Sequence, residues 1–270
     1  MATLPNPLPH LTTDPSGRSL GLRLPPGKLV DRDWPEPLLW YADQPSSSGN
    51  WTALGARAGQ AGLLPVLVDV DKYWVDREGW ELDPDAMSYP GDHDAEEVLA
   101  ESWEMDEEDY DDDTADMLAP FTLAWPGLAP SATPTVDPDA RAAQLADEIS
   151  ESDDTTWFTE PHLALVPARR SADIPAAIGW TGPLNHENDV ARLCAVLRSW
   201  EDRFGARVVA LGFATLAVSV AAPPTTQSEA EAIAAEHYAF CPDNIAQGPG
   251  TIEAYAKELI DAHAWHFWWD

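Results

Sequence analysis

The segment HAWHFWWD (residues 263–270) places four aromatic rings and two histidines in eight positions. Chain ends fray in water unless something holds them. Read as a strand, the segment alternates: Trp265, Phe267 and Trp269 face one way, and His266, Trp268 and Asp270 the other. Three large rings on one face bury about 150–250 Å² each. At about 25 cal/mol per Å² that is several kcal/mol, enough to hold the strand in a sheet beneath helices. A helix would scatter the same rings around its axis, and Trp and Phe are middling helix formers.

Working back from this strand, HLALVPA (162–168), ARVVALG (206–212) and TLAVSVAAPP (215–224) read as three further strands. ENDVARLCAVLRSWEDRFG (187–205) has the clearest helical spacing: Val190, Leu193, Cys194, Leu197 and Trp200 share a stripe, and Gly205 is the stop. SEAEAIAAEHYAFC (228–241) and TIEAYAKELIDA (251–262) read as two more helices. Nearer the start, PLLWYAD (37–43) and LLPVLVDV (63–70) read as strands. WTALGARAGQAG (51–62) lies between them as a helix ending at Gly62, with Ser48 or Asn50 as its cap. Strand, helix, strand at that spacing predicts a βαβ unit. The proline- and glycine-rich residues 1–37 read as extended chain and turns with one edge strand.

The middle of the chain differs in composition. The whole sequence has 47 acids against 15 Lys plus Arg, a net charge of −32, and residues 81–160 hold 25 of the acids and a single base, Arg141. DAEEVLAESWEMDEED (94–109) reads as an amphipathic helix with Val98, Leu99 and Trp103 on one stripe and Asp94 at its start. DYDDDTAD (109–116) reads as loop or disorder. MLAPFTLAWPGLAP (117–130) is apolar, broken by prolines, and suited to lie against a domain surface. DPDARAAQLADEIS (137–150) reads as a helix with Pro138 at its first position.

WEDRFGARVVALG, AEHYAFCPDNIAQG (235–248) and the closing WHFWWD, in that order and spacing, resemble the bacterial domain-of-unknown-function family 4253. The resemblance spans about 161–270. It implies a domain boundary near 155–162 and a bacterial source. The family has no established activity, so no catalytic residue is carried over.

Composition narrows the function. A block so acidic repels phosphate backbones and anionic lipid heads, which argues against direct nucleic-acid binding and favours a basic protein partner. Two cysteines, Cys194 and Cys241, make no disulfide framework and fit a reducing compartment. No apolar run is long enough to span a membrane, and MATLPNPLPH lacks signal-peptide regions. The expected location is the cytoplasm. No cofactor is expected. The sequence contains no dinucleotide-binding glycine motif after a strand, no P-loop, no zincin motif and no nucleophile elbow.

The densest polar stretch is Glu236-His237-Tyr238-Ala239-Phe240-Cys241-Pro242-Asp243-Asn244. On a helix reaching Cys241, His237 and Cys241 share a face, a spacing that serves two metal ligands or a thiolate beside a base. His237, Cys241 and Asp243 are therefore the catalytic candidates, and His237, Cys241, His263 and His266 the metal-ligand candidates. The plainer reading makes Cys241 a buried thiol, Pro242 a helix stop, Asp243 or Asn244 a turn former, and His237 a structural hydrogen-bonding partner. Asp69, Asp71 and Asp76 follow a strand and form a loose divalent-ion candidate. Asp92-His93-Asp94 reads as loop and cap. Trp180, His186 and Glu187 read as a turn and cap that could line a pocket.

The expected fold is mixed α/β. A C-terminal lobe, 161–270, has a mixed sheet flanked by helices. A smaller βαβ-containing lobe covers 1–80, and a partly helical acidic linker, 81–160, joins them. The expected function is that of a non-catalytic acidic binding protein, immunity- or antitoxin-like towards a basic protein. The alternatives are an enzyme or metal-dependent hydrolase centred on His237, Cys241 and Asp243, and a small-ligand-binding or structural module.

Overall fold

The computed structural model describes residues 5–31, 34–69, 82–104, 111–154 and 156–270. In chain order its elements are α1 (His10–Thr13), β1 (Gly27–Val30), β2 (Leu39–Ala42), α2 (Asn50–Gln60), β3 (Leu64–Asp69), α3 (Ala95–Trp103), α4 (Asp112–Leu118) and α5 (Pro138–Glu151). They continue with β4 (Pro161–Val166), α6 (Ile174–Ile178), α7 (Val190–Phe204), β5 (Arg207–Leu211), β6 (Thr215–Ser219), α8 (Gln227–Phe240), α9 (Asp243–Ala246), α10 (Ile252–Leu259) and β7 (Ala264–Trp268). The fold is mixed α/β, as the sequence patterns predict. Among the described residues no helix is long and apolar enough to cross a membrane.

The strands among the described residues join one sheet in the order β1-β2-β4-β3-β5-β6-β7. Only β3 and β5 pair in parallel; every other neighbouring pair is antiparallel. The boundaries expected at 80 and 161 therefore run through a shared sheet. β3, from the first part of the chain, lies between β4 and β5, both from the last part. The expected βαβ unit is split for the same reason: β2 and β3 run the same way, but β4 lies between them and bonds to both. Periodicity identifies strands but carries no information about which strand is inserted between two others.

Alternation along each strand divides the core in two. Val66, Val68, Ala164, Val166, Leu216, Val218, Trp265, Phe267 and Trp269 face the layer holding α7, α8 and α10. Leu67, Leu163, Val209 and Ala217 face Trp51 and Leu54 of α2 and Ala142, Leu145 and Ala146 of α5. Beside α2 the same face is closed by Leu8, Leu11 and Leu22 of the first segment.

The final strand forms as its alternation predicts. Trp265, Phe267 and Trp269 are 1%, 0% and 3% exposed. Phe267 stacks on Trp200 of α7 at 5.5 Å, and Trp265 meets Trp200 edge-on at 5.4 Å. Gly205 ends α7 at φ 63°, a left-handed turn that glycine adopts freely.

The acidic block departs from its reading. The helix expected over 94–109 spans Ala95–Trp103, with Asp94 accepting from the N–H groups of Glu96 and Glu97; residues 105–110 lie outside the described ones. DYDDDTAD was expected to be loop-like, yet Asp112 begins α4, and the Asp111 side chain caps it at the Thr114 N–H. The acids of its first turn favour the helix through its dipole, and Leu118 anchors its end in the core. At α2, neither Ser48 nor Asn50 is the cap. Gly49 takes that position, and its N–H donates to Asp147 of α5 at 2.8 Å.

Candidate functional site

The polar stretch at the end of α8 is built into the sheet edge. β7 pairs with β6 on one side only, so the N–H and C=O groups of His266 and Trp268 point away from the sheet. The turn after α8 meets them. Cys241 Sγ–H donates to the Trp268 carbonyl at 3.0 Å, and Asn244 Oδ1 accepts from the Trp268 N–H at 3.0 Å. Asn244 Nδ2 donates to the His266 carbonyl, and Asp243 Oδ2 accepts from the Asp270 N–H at 3.0 Å. Three side chains from one turn thus stand in for a missing neighbouring strand.

This geometry separates the catalytic candidates. α8 ends at Phe240, and Cys241 leaves the helix at φ −152°. Its thiol turns to β7, and burial raises its pKa to about 12, against thiolate formation. His237 stays inside, 0% exposed, ringed by Trp200, Trp265, Phe267 and Tyr255. Its Nδ1 shares a hydrogen bond with the Tyr255 hydroxyl at 3.1 Å, and its Nε2 has no partner among the described residues. Burial, aided by the Arg203 charge, lowers its pKa to about 3, so the ring is neutral. Asp243 is half-buried and also accepts from Gln247 Nε2.

The metal candidates are likewise dispersed. His263 Nδ1 donates to the Val220 carbonyl at 2.8 Å, and His266 stacks on Trp157 at 5.0 Å on the opposite face of the sheet from His237. Burial lowers the His266 pKa. Among the described residues no group of three or more His, Cys, Asp and Glu side chains is placed to hold a metal ion.

The charged group that matters most inside this region is one the residue spacing did not single out. Glu236, 0% exposed, receives both terminal nitrogens of Arg203 at 2.6 and 2.8 Å, Trp200 Nε1 at 2.7 Å and the Ala129 N–H at 2.6 Å. Four donors neutralise a carboxylate that could not otherwise be buried. They also tie α7, α8 and the 117–130 stretch together. The signal lay in AIAAEHYAF, a charged residue within an apolar helix.

Residues 162–270 match the family described as Domain of unknown function (DUF4253). Neither a curated protein nor a solved structure matches the chain. The DUF4253 region contains β4 to β7 and α6 to α10, and so the whole edge assembly and the Arg203–Glu236 pair. It does not contain β3, which separates its own β4 from its own β5.

The remaining candidates have structural partners. Asp69 accepts from the N–H groups of Thr159 and Glu160; Asp71 and Asp76 lie outside the described residues. Asp94 caps α3, and His93 Nε2 meets Ser88 Oγ. Trp180 is buried and donates to the Gly212 carbonyl at 2.9 Å, while Glu187 pairs with Arg192 at 2.8 Å. The backbone N–H of His186 donates to the Pro183 carbonyl.

Two openings are relevant to binding. One, about 330 Å³, adjoins β7 inside the DUF4253 region, where Trp268, Tyr255, Asp243 and Glu258 meet Trp157. The other, about 810 Å³, lies between α2 and α5, and the DUF4253 region contributes Arg169, Arg170, Ser171, Glu201, Arg207 and Val208 to it.

Proposed function

We propose that the protein is a non-catalytic binding protein whose acidic surface engages a basic protein, in the manner of an immunity protein or antitoxin. The observation that supports this reading is how α3 and α4 are mounted. Val98, Leu99, Trp103 and Leu118 are buried in the core, while Glu96, Glu97, Glu101, Asp112, Asp113 and Asp116 are exposed. Among the described ion pairs only Glu101 of this set meets a cation, Arg192. The remaining carboxylates keep their field for an outside partner, which steers encounter with a cationic surface. An enzyme centred on His237, Cys241 and Asp243 would need reactive groups open to substrate, whereas His237 and Cys241 are both 0% exposed.

The test is a pull-down of basic proteins at low and high salt. The bait is the wild type or a variant with Glu96, Glu97, Asp112, Asp113 and Asp116 changed to amides. A partner held at low salt by the wild type only, and released by salt, is the expected result. Equal retention by both baits sinks the reading.

A further inference from the structure

The cleft between α2 and α5 has a second property beyond its size. Its α2 wall is Gly55, Ala56 and Gly59, and Ala140 and Ala143 of α5 stand opposite. Glycine inside a helix is less favourable than alanine by about 1 kcal/mol. Neither Gly55 nor Gly59 has a positive φ. A methyl group at Gly59 would meet no atom within 4 Å, and one at Gly55 would meet only Pro65 Cγ at 3.5 Å and the edge of Trp51 at 4.0 Å. Both are ordinary contacts. Neither backbone conformation nor packing among the described residues requires glycine at these positions. What the two glycines do is widen the cleft and open the helix backbone to close approach.

Among the described residues, one cation on the cleft wall is left without a counter-ion. Arg169, Arg170 and Arg207 line the cleft together with the carboxylates of Asp139, Asp147 and Glu201. Arg207 is paired with Asp139 at 2.8 Å, and Arg170 with Asp202 at 2.6 Å. Both also face Glu201, with Arg170 Nε 3.4 Å and Arg207 Nη1 3.8 Å from its Oε1, and Asp147 accepts from the Gly49 N–H. Arg169 is exposed at the rim and forms no ion pair among the described residues. A guanidinium with unused donors, as at Arg169, binds carboxylate or phosphate oxygens. The small apolar walls accept hydrocarbon, and about 810 Å³ lies within the range of small-molecule sites.

We propose that this cleft binds a small amphipathic anion. Its carboxylate or phosphate sits at Arg169, and its apolar body lies between α2 and α5 against Gly55 and Gly59. The cleft is lined by α2 and α5 with Glu201 of α7 at one end, and by no residue of α3 or α4, so the inference does not rest on their acidic surface.

Calorimetric titration of the full chain with decanoate, decyl phosphate and decanol, each below its aggregation concentration, tests this. The wild type takes up one equivalent of decanoate or decyl phosphate, and the better of the two identifies the head group. Decanol binds at least tenfold more weakly. Gly59→Leu fills the cleft and weakens the anions at least tenfold, with a melting temperature no lower than that of the wild type. Arg169→Gln weakens the anions and leaves decanol unchanged. Failure of both anions to bind overturns the proposal. So does equal binding of decanol, or full affinity in a folded Gly59→Leu protein.

Discussion

The two faces of the sheet are filled in opposite ways. Against α7 and α8 the space is taken by Trp200, Phe204, Phe240, Trp265, Phe267 and Trp269, with an ion pair and a neutral histidine enclosed among them. Against α2 and α5 Trp51, Leu54, Leu67, Leu145 and Leu163 pack the sheet, but between the two helices small residues leave a cleft of about 810 Å³. His237, Cys241 and Asp243, which suggest chemistry in the sequence, lie on or beside the crowded face and work as scaffold. The face with room for a ligand opens at Gly55, Gly59, Ala140 and Ala143, which suggest nothing.

The contrast can be broken at its strongest point first. Glu236→Leu leaves Arg203 buried without its partner and should destabilise the fold by about 3–5 kcal/mol in urea denaturation. Adding Arg203→Met should recover most of that loss. If the single substitution is tolerated, the pair is not the clamp described. Next is the edge of β7. Asn244→Ala orphans the Trp268 N–H and the His266 carbonyl, at about 1–3 kcal/mol for each group if water cannot replace it. Hydrogen exchange at the Trp268 amide should rise with it; unchanged protection would mean that water substitutes.

His237 gives a pH signature of the crowded face. Its pKa is lowered from 6.5 to about 3 in the folded protein. Below pH 6.5 the unfolded chain gains a proton at this ring and the folded chain does not. This contribution is intact above pH 6.5 and declines as pH falls towards 3. Between pH 7.5 and 5 it removes about 2 kcal/mol. His237→Leu should be less sensitive to that pH change by the same amount in paired urea titrations, and identical responses would refute the burial argument. The smallest effect has the opposite sign and belongs to the open face. Gly55→Ala should stabilise by about 0.5–1 kcal/mol. A loss in place of that gain would show that the methyl group is not tolerated there.

Local pattern was enough for much of this fold. The alternation in HAWHFWWD places its rings on the correct face, and the stripe on α7 marks its buried side. The insertion of β3 between β4 and β5 was not legible, because it depends on pairing between segments about a hundred residues apart. α4 was missed because DYDDDTAD is dominated by charge, whereas the helix depends on the Asp111 cap and on Leu118 at its far end. At the candidate site, the spacing of His237 and Cys241 was read as a shared helical face. Cys241 falls one residue past the helix end, where its thiol serves β7. Glu236 was visible as a charge among apolar neighbours, but its partner Arg203 lies 33 positions away on another helix.

The placement of β3 reaches beyond this one chain. The family segment begins at residue 162 and carries β4 and β5 but not the strand that separates them. In sequence it resembles a self-sufficient unit, yet in space it has a vacancy one strand wide through its middle. Cut from this chain, that segment would leave the facing edges of β4 and β5 without their shared neighbour and would lose α2 and α5, the cover of one sheet face.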